Sequence, residues 1–299
     1  MSAPLLAIVN PAAGRGRAAR AWPALAAALA AEGVAVEVAP TRAAGEASAL
    51  AARAAAGGPR TVLSVGGDGT LHEVLNGLLA AGRPARLAVA PFGTGNDYAG
   101  FLGVPRAPRA LAAMLARGRS RAVDVGRIEY TDGAARATRH FINVAGVGYD
   151  ADVLERMARP GPRRPGYLAA LAAGLIRYRA PRFAVRSPGA TIEGRLFVAL
   201  AMLGRSCGGG MRFAPGAEPD DGLLELVTVD HLAPLAALWR VPKIYTGAIL
   251  ADPAVRSRRC AELAIDAEPA ARVEADGQLL GTTPVGIRLL PRAIEFVVP

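Results

Sequence analysis

Short apolar runs at 5–9 (LLAIV), 34–38 (VAVEV), 61–65 (TVLSV) and 87–91 (LAVAP) alternate with helical stretches in the first part of the chain. The helices are predicted at about 18–32, 45–56, directly after residue 66, and near 107–116. Strands apolar on both faces, separated by helices, predict an α/β domain whose parallel sheet is covered on both sides. The texture changes after the arginine-rich ARGRSR that ends at residue 121. From there AVDVGRIEY, RHFINVAGVG, RFAVRS, TIEGRLFVALAML, GLLELVTV, RVEADGQLL and VGIRLL read as strands joined by turn residues. Helices are expected only at about 150–157, 166–178 and 232–250. The expected organisation is an α/β domain over 1–121 and a mainly antiparallel β-sandwich over 122–290. A last strand at 291–299 can pair with either domain.

The 299 residues are 52% hydrophobic, enough to bury a sizeable core. Two isolated cysteines, Cys207 and Cys260, make neither a disulfide framework nor a metal cluster and suit a reducing, cytoplasmic setting. His72, His140 and His231 are too scattered for a zinc spacing. The N-terminal MSAPLLAIVNPAAG lacks the basic region of a secretory signal, and no apolar run reaches the roughly 18 residues of a membrane span, so a soluble protein is expected. The net charge of +10 fits an arginine-rich composition or an anionic membrane surface. With few aromatics and no nucleic-acid-reading motif, nucleic acid is excluded as a partner.

Against that background the segment SVGGDGTLHEVLNGLL (64–79) stands out. Leu71, Val74, Leu75, Leu78 and Leu79 share one helical face, which places Gly66-Gly67-Asp68-Gly69-Thr70 between a strand end and a helix start. Free helix N–H groups at such a junction favour phosphate oxygens, and glycines let the backbone approach a ligand. Asp68 would repel a bare phosphate, and it makes sense beside Mg²⁺ on a nucleotide triphosphate. The alternative is a tight turn with Asp68 capping the helix.

Three other segments join it. NPAAGRGRAAR (10–20) approximates a dinucleotide turn without its last glycine; it serves as a phosphate turn with Asn10, Arg15 and Arg17, or as a plain arginine-rich helix start. APFGTGNDYA (90–99) is a further glycine turn at a strand end, with Thr94, Asn96 and Asp97. EADGQLLG (274–281) is first a hairpin signal, yet its Asp276 also suits the base that a hydroxyl-phosphorylating kinase needs.

VGGDGTLHEVLNGL, PFGTGNDYA, FINVAGVGYDADV, CGGGMRFAPGAEPDDGLLELVTV and EADGQLLG, in this order, resemble the diacylglycerol kinase catalytic-domain family. The soluble bacterial lipid kinases are the nearer branch, and sphingosine kinases are more distant. The resemblance implies transfer of the γ-phosphoryl of ATP, with Mg²⁺, to a lipid hydroxyl in a cleft between the two domains. It places Asn10, Pro11, Ala12, Ala13, Gly14, Thr41, Gly66, Gly67, Asp68, Gly69, Thr70, Leu71, His72, Thr94 and Asn96 at nucleotide-contacting positions. Asp97 and Asp124 fall in the polar network beside the essential Asp68, and Asp276 at the catalytic carboxylate. The family's usual Asp-Gly-Glu is here Asp276-Gly277-Gln278.

AEPDDGLLE (217–225) resembles a structural Mg²⁺ segment, with Asp221 and the carbonyls of Glu218 and Leu223 as ligands; Asp220 and Asp221 equally suit a turn. Arg159, Arg163, Arg164, Arg177, Arg179 and Arg182 flank an apolar helix candidate, either a membrane-docking element or a solvated interdomain helix. The partner expected is a lipid at a membrane surface, and a homodimer is compatible with the chain. An NAD kinase-like enzyme and a catalytically silent nucleotide- or membrane-binding relative are the alternatives.

Overall fold

The computed structural model describes residues 5–57, 60–82, 85–158, 174–175 and 177–299. The chain divides into two compact units, one of residues 1–125 with 291–299 and the other of 126–290.

In the first unit the apolar runs become β1 (Leu5–Val9), β2 (Val36–Pro40), β3 (Thr61–Gly66) and β4 (Arg86–Pro91). They pair in parallel in the order β2-β1-β3-β4. Residues 295–296 of the chain's last strand add a fifth parallel partner beside β4. The terminal segment thereby belongs to the α/β sheet. Parallel neighbours require crossovers, supplied by α1 (Ala13–Ala31), α2 (Glu46–Ala56), α3 (Asp68–Ala80), α4 (Asp97–Phe101) and α5 (Pro108–Arg117). β1, β3 and β4 are almost wholly buried because helices shield both faces, whereas edge strand β2 is mostly exposed. α3 buries Leu71, Val74, Leu75 and Leu78, four of its five predicted core positions.

Inside α1 the chain does not begin as a regular helix. Gly14, Arg15 and Gly16 have φ of 59°, 58° and 80°, a left-handed curl ahead of the helix proper. Gly14 is also sterically required, since a Cβ there would lie 2.3 Å from the Phe92 carbonyl oxygen.

The second unit is built from antiparallel strands. β5 (Ser120–Asp132) enters it and pairs with β6 (Ala135–Phe141). β7 (Val144–Gly148), β8 (Arg182–Ser187), β9 (Ala190–Met202), β10 (Leu224–Asp230), β11 (Val255–Cys260), β12 (Glu262–Glu268), β13 (Arg272–Ala275) and β14 (Gln278–Val297) follow. One layer runs β11-β10-β9-β7-β13-β14. The other joins β9 to β8, β8 to β12, β12 to β14 and β14 to β5. The long strands β9 and β14 serve both layers, and the sandwich core lies between them. Ile128, Phe141, Val147, Phe183, Leu196, Ile265, Val273 and Ile287 are among the residues it buries.

Among the described residues, this unit carries the α-helices α6 (Tyr149–Ala158) and α7 (Pro234–Thr246), with a 3-10 turn at Ala248–Ala251; residues 174–175 are also helical. Of the helix expected over 166–178, residues 166–173 and 176 lie outside the described residues, as do Arg159, Arg163 and Arg164. Among the described residues no helix is long and apolar enough to cross a membrane.

Candidate functional site

In the first unit, β3 ends at Gly66 and α3 begins at Asp68, leaving Gly67 alone to turn the chain. Gly67 is extended, and the N–H groups that open α3 precede the helix's own hydrogen-bond ladder. The glycines permit close packing of neighbouring turns. A Cβ on Gly66 would fall 2.4 Å from Thr70 Oγ1, and one on Gly93 would fall 2.2 Å from the Gly67 Cα. Two strand-end turns, 66–70 and 92–97, therefore meet backbone to backbone.

Asn96 holds the second turn. It adopts φ 61°, and its amide accepts from Gly93 N–H at 2.9 Å and donates to Gly93 O at 2.9 Å. Its own N–H donates to Asp68 Oδ2 at 2.7 Å. A Cβ on Gly95 would lie 2.9 Å from Asp68 Oδ2 and 3.3 Å from Asp97 Oδ2, so the two carboxylates flank one bare Cα. Two carboxylates beside helix N–H groups form a mixed-charge site suited to a hard cation held on phosphate oxygens.

The first turn is tied to the same place. Asn10 donates from Nδ2 to Thr70 Oγ1 at 3.0 Å, and its Oδ1 accepts from Ala12 N–H at 3.1 Å. Arg17 donates to Gly93 O at 2.9 Å. Asn10 and Arg17 thus brace the turns, while Arg15 holds a left-handed backbone. Pro11 and Ala12 are exposed, and Ala13 and Gly14 are half-buried. Thr94 is exposed on the second turn, and Gly69 has open space around its Cα. Thr41 is buried just past β2 and donates its N–H to Val9 O. Leu71 and His72 are 2% and 1% exposed, so their side chains belong to the core and only their backbone borders the turn. Asp124 is buried and accepts the Arg292 N–H at 2.7 Å, holding the returning terminal strand.

In the second unit, Asp276 and Gly277 form the two-residue turn between β13 and β14. Their φ values of 48° and 82° are both left-handed, as a type I′ hairpin requires, and Ala275 pairs with Gln278 across it. The Asp276 carboxylate is buried. It accepts N–H groups from Ile142 at 3.0 Å, Asn143 at 2.9 Å and Val144 at 3.0 Å. These N–H bonds fix the carboxylate at the hairpin turn.

Sequence reasoning missed the acidic pair behind this turn. Glu274 Oε2 accepts the Gly277 N–H at 2.7 Å, which fixes the hairpin. Its other oxygen and the Asp150 carboxyl meet over Gly146, where a Cβ would lie 2.9 Å from Glu274 Oε1 and 1.5 Å from Asp150 Oδ2. Both Asp150 oxygens are buried, with no donor of good hydrogen-bond geometry among the described residues, although the residue as a whole is partly exposed. Burial pushes both carboxyls up. Asp150 rises to about 7, and Glu274 rises well above the usual carboxylate range, further raised by Asp150 beside it. The pair holds a proton at neutral pH. Glu274 and Gly146 were both within quoted motifs; what was missing was the cross-strand pairing of Gly146 with Glu274.

The segment considered for a structural metal is closed by protein groups. Asp221 Oδ1 accepts the Leu223 N–H at 3.0 Å, and its other oxygen pairs with Arg259. Glu218 pairs with Arg205 at 3.0 Å. No cluster of three or more His, Cys, Asp or Glu suited to a metal occurs among the described residues. Asp221 thus carries the contacts of the turn alternative, with a guanidinium at its second oxygen.

Comparison with known proteins agrees with the two units. Residues 4–128 match the family model described as the diacylglycerol kinase catalytic domain. Residues 143–298 match the YegS C-terminal NAD kinase beta sandwich-like domain. A diacylglycerol kinase of Mycobacterium tuberculosis is 33% identical over 98% of this chain and 94% of its own. A probable lipid kinase, YegS-like, of Pseudomonas fluorescens is 30% identical over 86% of this chain and 83% of its own. A diacylglycerol kinase crystal structure from Bacillus anthracis shares the fold with a TM-score of 0.73 at 22% identity, covering 99% of this chain and 97% of that one.

Proposed function

The chain belongs to the diacylglycerol kinase catalytic-domain family of lipid kinases, and from that premise we propose that it transfers the γ-phosphoryl of ATP to the hydroxyl of a diacylglycerol-type lipid. The observation that carries the reading is the meeting of the 66–70 and 92–97 turns, with Asp68 and Asp97 flanking Gly95 beside the N-terminus of α3. Backbone N–H groups there bind and orient the triphosphate, and Asp68 and Asp97 would hold its Mg²⁺. When bound, Mg²⁺ supplies charge neutralisation across the phosphate oxygens.

Asp276 is assigned to the acceptor. Its carboxylate would take the hydroxyl proton as the lipid oxygen bonds to the γ-phosphorus and the bond to the bridging β–γ oxygen breaks, releasing ADP. Gln278 replaces the family's usual glutamate without removing this carboxylate. The proton held by Asp150 and Glu274 leaves one charge rather than two behind the hairpin, where Glu274 accepts the Gly277 N–H.

The test is transfer of radiolabelled phosphate from ATP to diacylglycerol, phosphatidylglycerol, ceramide, sphingosine, a polyprenol and NAD, with Asp68→Ala as control. Label should enter a lipid and be lost by at least about 10³-fold in a folded Asp68→Ala protein. Label on NAD alone, or an active Asp68→Ala enzyme, would overturn the reading.

A further inference from the structure

We propose that helix α7 is the surface by which this protein seats on a lipid leaflet carrying anionic headgroups. Leu235, Leu238 and Trp239 are exposed by 73%, 50% and 82%, and Pro242 is exposed beside them. At 100° per residue these positions share one face. The opposite face carries Ala237 and Ile244, which with Tyr245 on the flank pack on the second unit's own apolar clusters. α7 is therefore apolar on both sides, one covered by its own unit and the other bare.

Charge selects the occupant. α7 has no acidic side chain, and its exposed face ends at Lys243, half-exposed, on a chain of net charge +10. Arg240 and Lys243 both pair with the buried Asp252, at 3.0 and 3.1 Å, which pins the helix to its unit and leaves the apolar face outward. A tryptophan with two leucines beside a lysine is the composition that settles at the headgroup boundary. The inference rests on the lipid-kinase reading for its acceptor, and extends it by naming where the leaflet is met.

The chain has two tryptophans, so Trp22→Phe leaves Trp239 as the sole indole reporter. With vesicles of phosphatidylcholine and phosphatidylglycerol, Trp239 emission should shift to the blue and be quenched by brominated acyl chains. The Leu235→Ser/Leu238→Ser/Trp239→Ser variant should lose vesicle flotation by at least about tenfold and lose turnover of a vesicle-embedded acceptor in proportion. Its turnover of the same acceptor dispersed in detergent should stay within about twofold, because the substitutions leave the proposed chemistry alone. Unquenched Trp239, unchanged flotation, or a wild-type dimer that the triple variant dissociates in sedimentation would each overturn the proposal. If quenching occurs but no lipid is phosphorylated even in detergent, the docking surface stands and the kinase reading fails.

Discussion

The turn at Asp68 and the turn at Asp276 use the same ingredients to opposite ends. Both set a carboxylate next to glycines and backbone N–H groups. Asp68 accepts the Asn96 N–H at a helix start, where the first N–H groups precede the helix's own hydrogen-bond ladder. Asp276 accepts three N–H groups inside a sandwich and is itself held in a left-handed turn. The first arrangement keeps hydrogen-bonding capacity for a ligand, and the second spends nearly all of it on the fold. The difference follows from the elements: a parallel strand end opens onto a helix terminus, whereas an antiparallel hairpin is surrounded by strands with N–H groups of their own.

Alanine at each position should separate the two. Asp276→Ala orphans three buried N–H groups at about 1–3 kcal/mol each, so the chain should lose several kcal/mol or fail to fold. Asp68→Ala should change stability by no more than about 1 kcal/mol in urea denaturation while abolishing turnover. Equal losses would erase the distinction. A smaller effect is expected from Gly93→Ala, whose Cβ would press on the Gly67 backbone at 2.2 Å. It should raise the KM for ATP by at least about tenfold and cost about 1–3 kcal/mol of stability.

The hairpin side also carries a pH signature. Asp150 and Glu274 keep their protons to higher pH when folded than when unfolded, so the native state binds more protons in between. Stability is then full below the unfolded value of about 3.8 and falls as pH rises through about 7. Urea denaturation at pH 5 and pH 8 should differ by about 1–3 kcal/mol, and Asp150→Asn should flatten the difference. A flat wild-type profile would remove the shared proton. Least of all should follow from metal removal. Because Arg259 already answers Asp221, EDTA should leave the melting temperature within about 2 °C; a larger drop would restore the metal site.

Much of the fold was legible because it rests on local periodicity. The apolar face of α3, the both-face-apolar strands and the Asp276-Gly277 turn are decided by residues within a few positions of one another. The carboxyl pair was not legible, since Asp150 and Glu274 lie far apart in the chain and meet only because β7 and β13 align Gly146 with Glu274. Asp221 shows the same limit: its counter-charge, Arg259, comes from a different strand. In α7 apolar residues lie on both sides, and nothing local says which side its unit covers.

By itself, then, the sequence determined where strands give way to helices, which turns must be glycine, and that Asp68, Asp97 and Asp276 sit at turns able to serve phosphate chemistry. Those are short-range consequences of φ limits and side-chain spacing. Tertiary structure alone decided that Asn10 and Arg17 brace the turns, that His72 is core, that three N–H groups converge on Asp276, and that Leu235, Leu238 and Trp239 face outward. Each depends on which distant segment arrives alongside, and hydrogen-bond saturation and burial are properties of that arrival.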